Sequence, residues 1–146
     1  MKYIEITLPF PPSVNRYWRS VVIKGFARIL LSADGRRFKD SCKKIISQRL
    51  EKIQQAGHSL PLFSKKEKLA VEIELYPPTK RVCDVDNYAK ATLDALTASG
   101  VWGDDSQVDD LRIIRREVVR GGHVLVKVYE ASKSTRRLPL LDDCPF

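Results

Sequence analysis

Two pairs of carboxylates frame a short stretch in the second half of the chain. Asp84 and Asp86 stand two residues apart ahead of a predicted helix, and Asp104 and Asp105 follow just beyond its end. Four carboxylates gathered in one place repel and raise one another's pKa unless a cation lies between them. Mg²⁺ suits such a set, because it takes hard oxygen ligands and completes its shell with water and phosphate, and little His or Cys competes here. Beside a phosphodiester, such an ion activates an attacking water, polarises the phosphate and stabilises the leaving oxygen. Lys90, on the intervening helix, is placed to stabilise the charge that gathers on the phosphate in the transition state. Each residue also has a plainer use. An Asp-X-Asp before a helix caps free N–H groups, Asp104-Asp105-Ser106 after Gly103 makes an ordinary turn, and an exposed lysine is simply solvated. Two acidic pairs flanking one lysine-bearing helix form a rarer combination than any of its parts.

The helix that must position them is predicted over residues 87–99, with Gly100 where a left-handed cap is wanted. Leu93, Leu96 and the alanines supply an apolar face, while Asn87, Lys90, Asp94 and Thr97 recur at spacings of three and four as a polar one. Asp86 then lies on the same side of the first turn as Lys90, and Asp84, in an extended approach, can point the same way. A strand over residues 69–76, ended by Pro77-Pro78, delivers the chain through Lys80 and Arg81 to Asp84. Glu74 on that strand is either an outer carboxylate of the site or the partner of a nearby base. Beyond the second acidic pair, residues 111–119 and 123–130 read as strands of a hairpin turned at Arg120-Gly121-Gly122. Asp104 and Asp110 stay open as substitutes for Asp105.

The N-terminal half supplies basic surface. Residues 3–8 alternate as a strand ending at Pro9, and Pro11-Pro12-Ser13-Val14-Asn15 make a stiff turn from which Asn15 and Arg16 can face the carboxylates and touch a phosphate. Residues 21–23 and 26–31 are predicted to form a hairpin about Lys24-Gly25, and Arg19, Lys24 and Arg28 make it a candidate DNA arm. A long helix follows over residues 33–56, capped by Ser32 and closed by Gly57. Phe38, Cys42, Ile45, Ile46, Leu50 and Ile53 form its stripe, and its outer face is basic. The expected fold is α+β (α/β): a single-domain mixed β-sheet with two main helices packed on it over residues 1–131, followed by a tail over 132–146.

The chain has 146 residues, a net charge of +8 and a pI near 9.5. Residues 16–56 alone hold eleven Lys or Arg against Asp34, Asp40 and Glu51, which suits a polyanionic partner such as nucleic acid. Cys42, Cys83 and Cys144 are odd in number and far apart, so neither a disulfide framework nor a zinc site is indicated, and His58 and His123 are isolated. Met1-Lys2-Tyr3-Ile4-Glu5 has no apolar leader core and no stretch reaches bilayer length, so a soluble cytoplasmic protein with no membrane partner is expected.

Asp84-Val85-Asp86-Asn87, Lys90-Ala91, Leu93-Asp94-Ala95-Leu96, Gly100-Val101-Trp102 and Asp104-Asp105-Ser106-Gln107-Val108 together resemble the central signature of the RusA family of Holliday junction resolvases. Leu8-Pro9-Phe10-Pro11-Pro12-Ser13, Asn15-Arg16-Tyr17 and Gly121-Gly122 resemble its flanking motifs, so the likeness runs from about Tyr3 to Glu130. The resemblance implies a small Mg²⁺-dependent homodimer that nicks four-way DNA junctions symmetrically in recombination and repair. It implies Asp84, Asp86 and Asp105 as metal ligands and Lys90 as an essential residue; Lys80, Arg81 and Asn87, which flank the first aspartates, are further candidates for contact with the DNA. The run Lys80-Arg81-Val82-Cys83 departs from the arginine run that such relatives carry at this point. A different class of function, a non-catalytic DNA-binding accessory protein of recombination, remains the alternative, and a nuclease acting on RNA or flaps shares the chemistry with another substrate. The last residues, with Asp142, Asp143, Pro145 and Phe146, resemble the acidic tips of bacterial single-stranded DNA-binding proteins, which implies docking to a protein that recognises such Pro-Phe ends.

Overall fold

Strict alternation makes β1 (Tyr3–Pro9) a one-sided strand, with Ile4, Ile6 and Leu8 buried and Tyr3, Glu5 and Thr7 exposed. The same period recurs in β6 (His123–Glu130), where Val124, Val126 and Val128 are buried, and the two strands pair antiparallel from Tyr3↔Tyr129 to Pro9↔His123. β4 (Leu69–Tyr76) is apolar over most of its length, as a central strand must be, with Leu69, Val71, Ile73 and Leu75 at its core. These elements belong to a computed structural model that describes residues 2–131; the tail residues Asp142, Asp143, Pro145 and Phe146 fall outside them.

The sheet order is β1-β6-β4-β5, where β5 spans Val108–Arg115. β4 pairs antiparallel with β6 and parallel with β5. This corrects the expected hairpin of residues 111–119 with 123–130: β5 and β6 flank β4 on opposite sides. After Arg115 the chain crosses the end of β4, where Arg116 N–H donates to Leu75 O at 2.8 Å and Val119 N–H to Pro77 O at 2.9 Å. Gly121 and Gly122 do turn the chain, both at positive φ. A turn signal fixes a reversal, but not the neighbour to which the returning strand pairs.

The parallel β4–β5 pair needs a crossover, and α3 (Ala89–Ala98) supplies it. α2 (Ala33–Gln55) packs beside α3 and against β1. Its stripe is as expected: Phe38, Cys42 and Ile46 are buried, Ile45 and Leu50 pack at the rim, and Arg36, Arg37, Lys43, Lys44, Arg49 and Lys52 are exposed. Burial pushes the Cys42 thiol up to about 12, so it is an inert core residue. Ser32 Oγ accepts from Gly35 N–H at 3.0 Å and caps the helix. Ahead of it, β2 (Trp18–Ile23) and β3 (Phe26–Leu31) form a separate two-stranded sheet. Lys24 at φ 51 and Gly25 at φ 80 give its two-residue turn the left-handed backbone that matches strand twist. Among the described residues, no helix is long and apolar enough to cross a membrane.

Candidate active site

The acidic residues sit on the two connections of the β4–α3–β5 crossover. On the first, residues Val85–Tyr88 form a 3₁₀ turn, and α3 proper begins at Ala89, two residues later than the sequence pattern predicts. Asp84 occupies the N-cap position with an extended backbone, yet its side chain makes no capping hydrogen bond. The plain capping use is therefore not the one made of Asp84. Both Asp84 and Asp86 are exposed. Arg115 on β5 donates to the carbonyl of Cys83 and so fixes the chain immediately before Asp84. Phe10 packs on Tyr88 at 4.9 Å between ring centres, bracing the turn from the N-terminal side.

On the second connection the adjacent aspartates divide. Asp104 is the cap: its carboxylate accepts from Ser106 N–H at 3.3 Å, while Gln107 Oε1 accepts from the Asp104 N–H at 2.9 Å, completing a capping box. Asp105 is turned to α3. Its Oδ1 accepts from the Thr97 hydroxyl and from Trp102 Nε1–H, the latter at 3.2 Å, and its Oδ2 lies 3.7 Å from Lys90 Nζ. Lys90 also donates to Asp94 Oδ1 at 2.7 Å, and Tyr17 Oη–H donates to Asp94 Oδ2 at 3.0 Å. A continuous chain thus runs from Tyr17 through Asp94 and Lys90 to Asp105. The hydrogen bond to Asp94 raises the pKa of Lys90 and keeps it charged. Burial, followed by Asp94, raises Tyr17 far out of the physiological range, so it remains a donor.

Lys90 therefore turns to the second acidic connection and not to Asp86, although four residues separate Asp86 from Lys90. Among the described residues, no three His, Cys, Asp or Glu side chains are gathered closely enough to hold a metal ion. The chemistry of the donors fits Mg²⁺ all the same: Asp84, Asp86 and Asp105 offer hard oxygens, and Asp84 is not committed to capping. Asp110 lies 3.6 Å from Arg112, with an Oδ2 that accepts no hydrogen bond. Glu74 is buried and paired with Arg116 at 2.8 Å and Lys127 at 3.5 Å, so its role is that of an ion pair within the sheet.

Asn15 and Arg16 lie on α1 (Val14–Tyr17), a single helical turn where the sequence predicts an irregular one, packed against α3 and the Asp84 connection. Arg16 and Arg81 line a groove of about 710 Å³ that also includes Phe10, Cys83, Tyr88 and Arg37. Lys80 is exposed and Asn87 half-buried near the same connection, whereas Arg19, Lys24 and Arg28 are carried away on the β2–β3 arm. Sequence reasoning gave no role to Tyr17, Thr97, Trp102, Arg115 or Arg37. The Asp104-to-Gln107 capping-box spacing is the one signal that could have separated Asp104 from Asp105 in advance.

A family model described as Endodeoxyribonuclease RusA matches residues 9–129. Crossover junction endodeoxyribonuclease RusA of Escherichia coli strain K12 is 36% identical over 130 residues, covering 89% of this chain and 97% of the relative. The proteins of the same name from Enterobacteria phage 82 and Shigella sonnei strain Ss046 also match at 36% over 130 residues, with the same coverage of both chains. Nearly the whole described fold, including the crossover and both acidic connections, lies within these matches, and the chain belongs to the RusA family of endodeoxyribonucleases.

Proposed function

We propose that this protein is a homodimeric, Mg²⁺-dependent endodeoxyribonuclease that resolves four-way DNA junctions by paired symmetric nicks during recombination and repair in the bacterial cytoplasm. The observation that carries the reading is the chain Tyr17–Asp94–Lys90, joined by hydrogen bonds and extended to Asp105 by an ion pair, together with an Asp84 whose side chain makes no capping hydrogen bond, in a family whose relatives are named crossover junction endodeoxyribonucleases. Asp84, Asp86 and Asp105 would hold Mg²⁺, which when bound activates water and neutralises charge on the phosphate. Mg²⁺ keeps several waters and needs few protein carboxylates once a phosphate joins it, so the site need not be a closed cage before DNA arrives. Thr97 and Trp102 keep Asp105 oriented. Lys90, held cationic by Asp94, stabilises the charge that develops on the phosphate.

Arg16, Arg81, Asn15, Lys80 and Asn87 are placed in this reading along the DNA entering the acidic connections, contacting phosphates without reading sequence. A two-fold dimer would set two such sites across a junction, matching the symmetry of the cuts. The test is a labelled four-way junction with and without Mg²⁺. Asp84→Asn, Asp86→Asn and Asp105→Asn should each bind it as the wild type does while losing cleavage. Full cleavage by all three would overturn the assignment, and binding without cleavage by the wild type would make this a non-catalytic DNA-binding protein.

A further inference from the structure

The β2–β3 arm exposes an unusual amount of apolar surface: Val22 is 74% exposed, Phe26 70%, Ile29 69% and Ile23 42%. A lone two-stranded hairpin is marginal in water, and apolar side chains left this bare call for a partner. Cross-strand register tells how they are arranged. Arg19↔Leu30, Val21↔Arg28 and Ile23↔Phe26 are opposed pairs that share one face, so two guanidiniums lie behind an apolar tip, with Lys24 in the turn itself.

The charge pattern selects the partner. Residues 18–31 hold Arg19, Lys24 and Arg28 and no acidic residue, so two arms meeting across a dimer axis would bring like charges together. Cations interleaved with stackable apolar groups fit nucleic acid. The arm is also tied to the site. Ser32 N–H donates to Tyr17 O at 2.9 Å, closing the arm's base, and the Tyr17 hydroxyl reaches Asp94, the partner of Lys90. Strands of six residues span roughly 17–20 Å, about twice the depth of a major groove, roughly 8.5 Å, so the arm is long enough for its tip to reach base pairs inside a DNA substrate.

We propose that this arm is a wedge for branched DNA: Ile23 and Phe26 stack on base pairs left uncovered at a branch point, while Arg19, Lys24 and Arg28 hold the flanking phosphates. In a continuous duplex each base face is already covered by its neighbour, so an apolar tip gains little there. At a crossover the terminal pairs are open to it. The inference rests on the junction-nuclease reading for its substrate and adds an element that selects the branch.

The experiment compares the full-length wild type with Ile23→Ser/Phe26→Ser and Lys24→Ala/Arg28→Ala. Affinity is measured in EDTA for a four-way junction carrying 2-aminopurine at the branch point and for a matching duplex. Wild-type binding should raise the 2-aminopurine fluorescence of the junction; the apolar double variant should lose this rise and about tenfold in junction affinity, the effect of removing an aromatic partner from a base, with duplex affinity unchanged. The basic double variant should weaken both substrates alike and flatten the salt dependence. As a check free of folding effects, Phe26→Trp should show indole quenching with the junction and none with the duplex. Wild-type junction preference and fluorescence in the apolar variant would overturn the wedge, as would its conversion from dimer to monomer in light scattering, which would assign the arm to a second copy. Mg²⁺ cleavage by the wild type is run in parallel. Cleavage with an undiminished apolar variant sinks the wedge alone, and a lost fluorescence rise without wild-type cleavage sinks the nuclease reading alone.

Discussion

Thr97→Val removes one oxygen at the centre of the acidic site and nearly preserves shape. The Thr97 hydroxyl accepts Trp102 Nε1–H at 2.6 Å and donates to Asp105 Oδ1, and having a single proton it must favour that carboxylate over the Leu93 carbonyl 3.2 Å away. Trp102 is 2% exposed, so its N–H would be left with the 3.2 Å contact to Asp105 and no water. Losing a hydrogen bond to a charged group costs about 1.5–3 kcal/mol. For a domain of this size that lowers the thermal midpoint by roughly 5–10 °C. Groups that orient a metal ligand change metal affinity by about 10–100-fold. The Mg²⁺ concentration for half-maximal junction cleavage should therefore rise by about that factor in Thr97→Val, with a smaller fall in rate at saturating Mg²⁺ and with Thr97→Ser close to wild type. A destabilised Thr97→Val with an unshifted Mg²⁺ curve would refute the reasoning, since Thr97 and Trp102 would then hold Asp105 for the fold alone.

Gly122→Ala should be destabilising by about 1–3 kcal/mol, because Gly122 is at φ 65 and an added Cβ would meet Pro78 Cδ at 2.9 Å and Phe10 Cβ at 3.0 Å; denaturant unfolding checks it, and an unchanged midpoint would contradict it. Acid stability tests Glu74, whose carboxyl Arg116 holds below the usual range. A depressed folded pKa stabilises the fold above the unfolded value, about 4.3, and that contribution disappears as pH falls through the folded value. The wild-type melting temperature should therefore drop more steeply below about pH 4 than that of Glu74→Gln; parallel acid profiles would exclude the effect.

The parts of the fold written in local pattern were legible. β4 ends at Pro77-Pro78 and β6 where its apolar alternation does, and α2 follows its stripe from Ser32 almost to Gly57. β5 was harder, because it is an edge strand that tolerates Asp109, Asp110 and Arg112, while Val118 and Val119 extend the apolar signal past its true end at Arg115. Its parallel pairing with β4 is non-local, and no turn residue encodes it. Within the site, the chemical types of Asp84, Asp86, Lys90 and Asp105 were readable from spacing and family likeness. Lys90's preference for Asp94 and Asp105, and the grip of Thr97 and Trp102 on Asp105, arise from how α3 folds back onto the Asp104–Asp105 connection, which spacing alone does not specify.

Whether Asp84, Asp86 and Asp105 hold Mg²⁺ against the scissile phosphate is tested most directly by replacing one non-bridging oxygen of that phosphate with sulfur. Sulfur is a poor ligand for the hard Mg²⁺ and a better one for Mn²⁺. Cleavage of one sulfur diastereomer should fail in Mg²⁺ and return in Mn²⁺. Cleavage of both diastereomers in Mg²⁺ at the rate of the all-oxygen junction would contradict a metal-bound phosphate at this site.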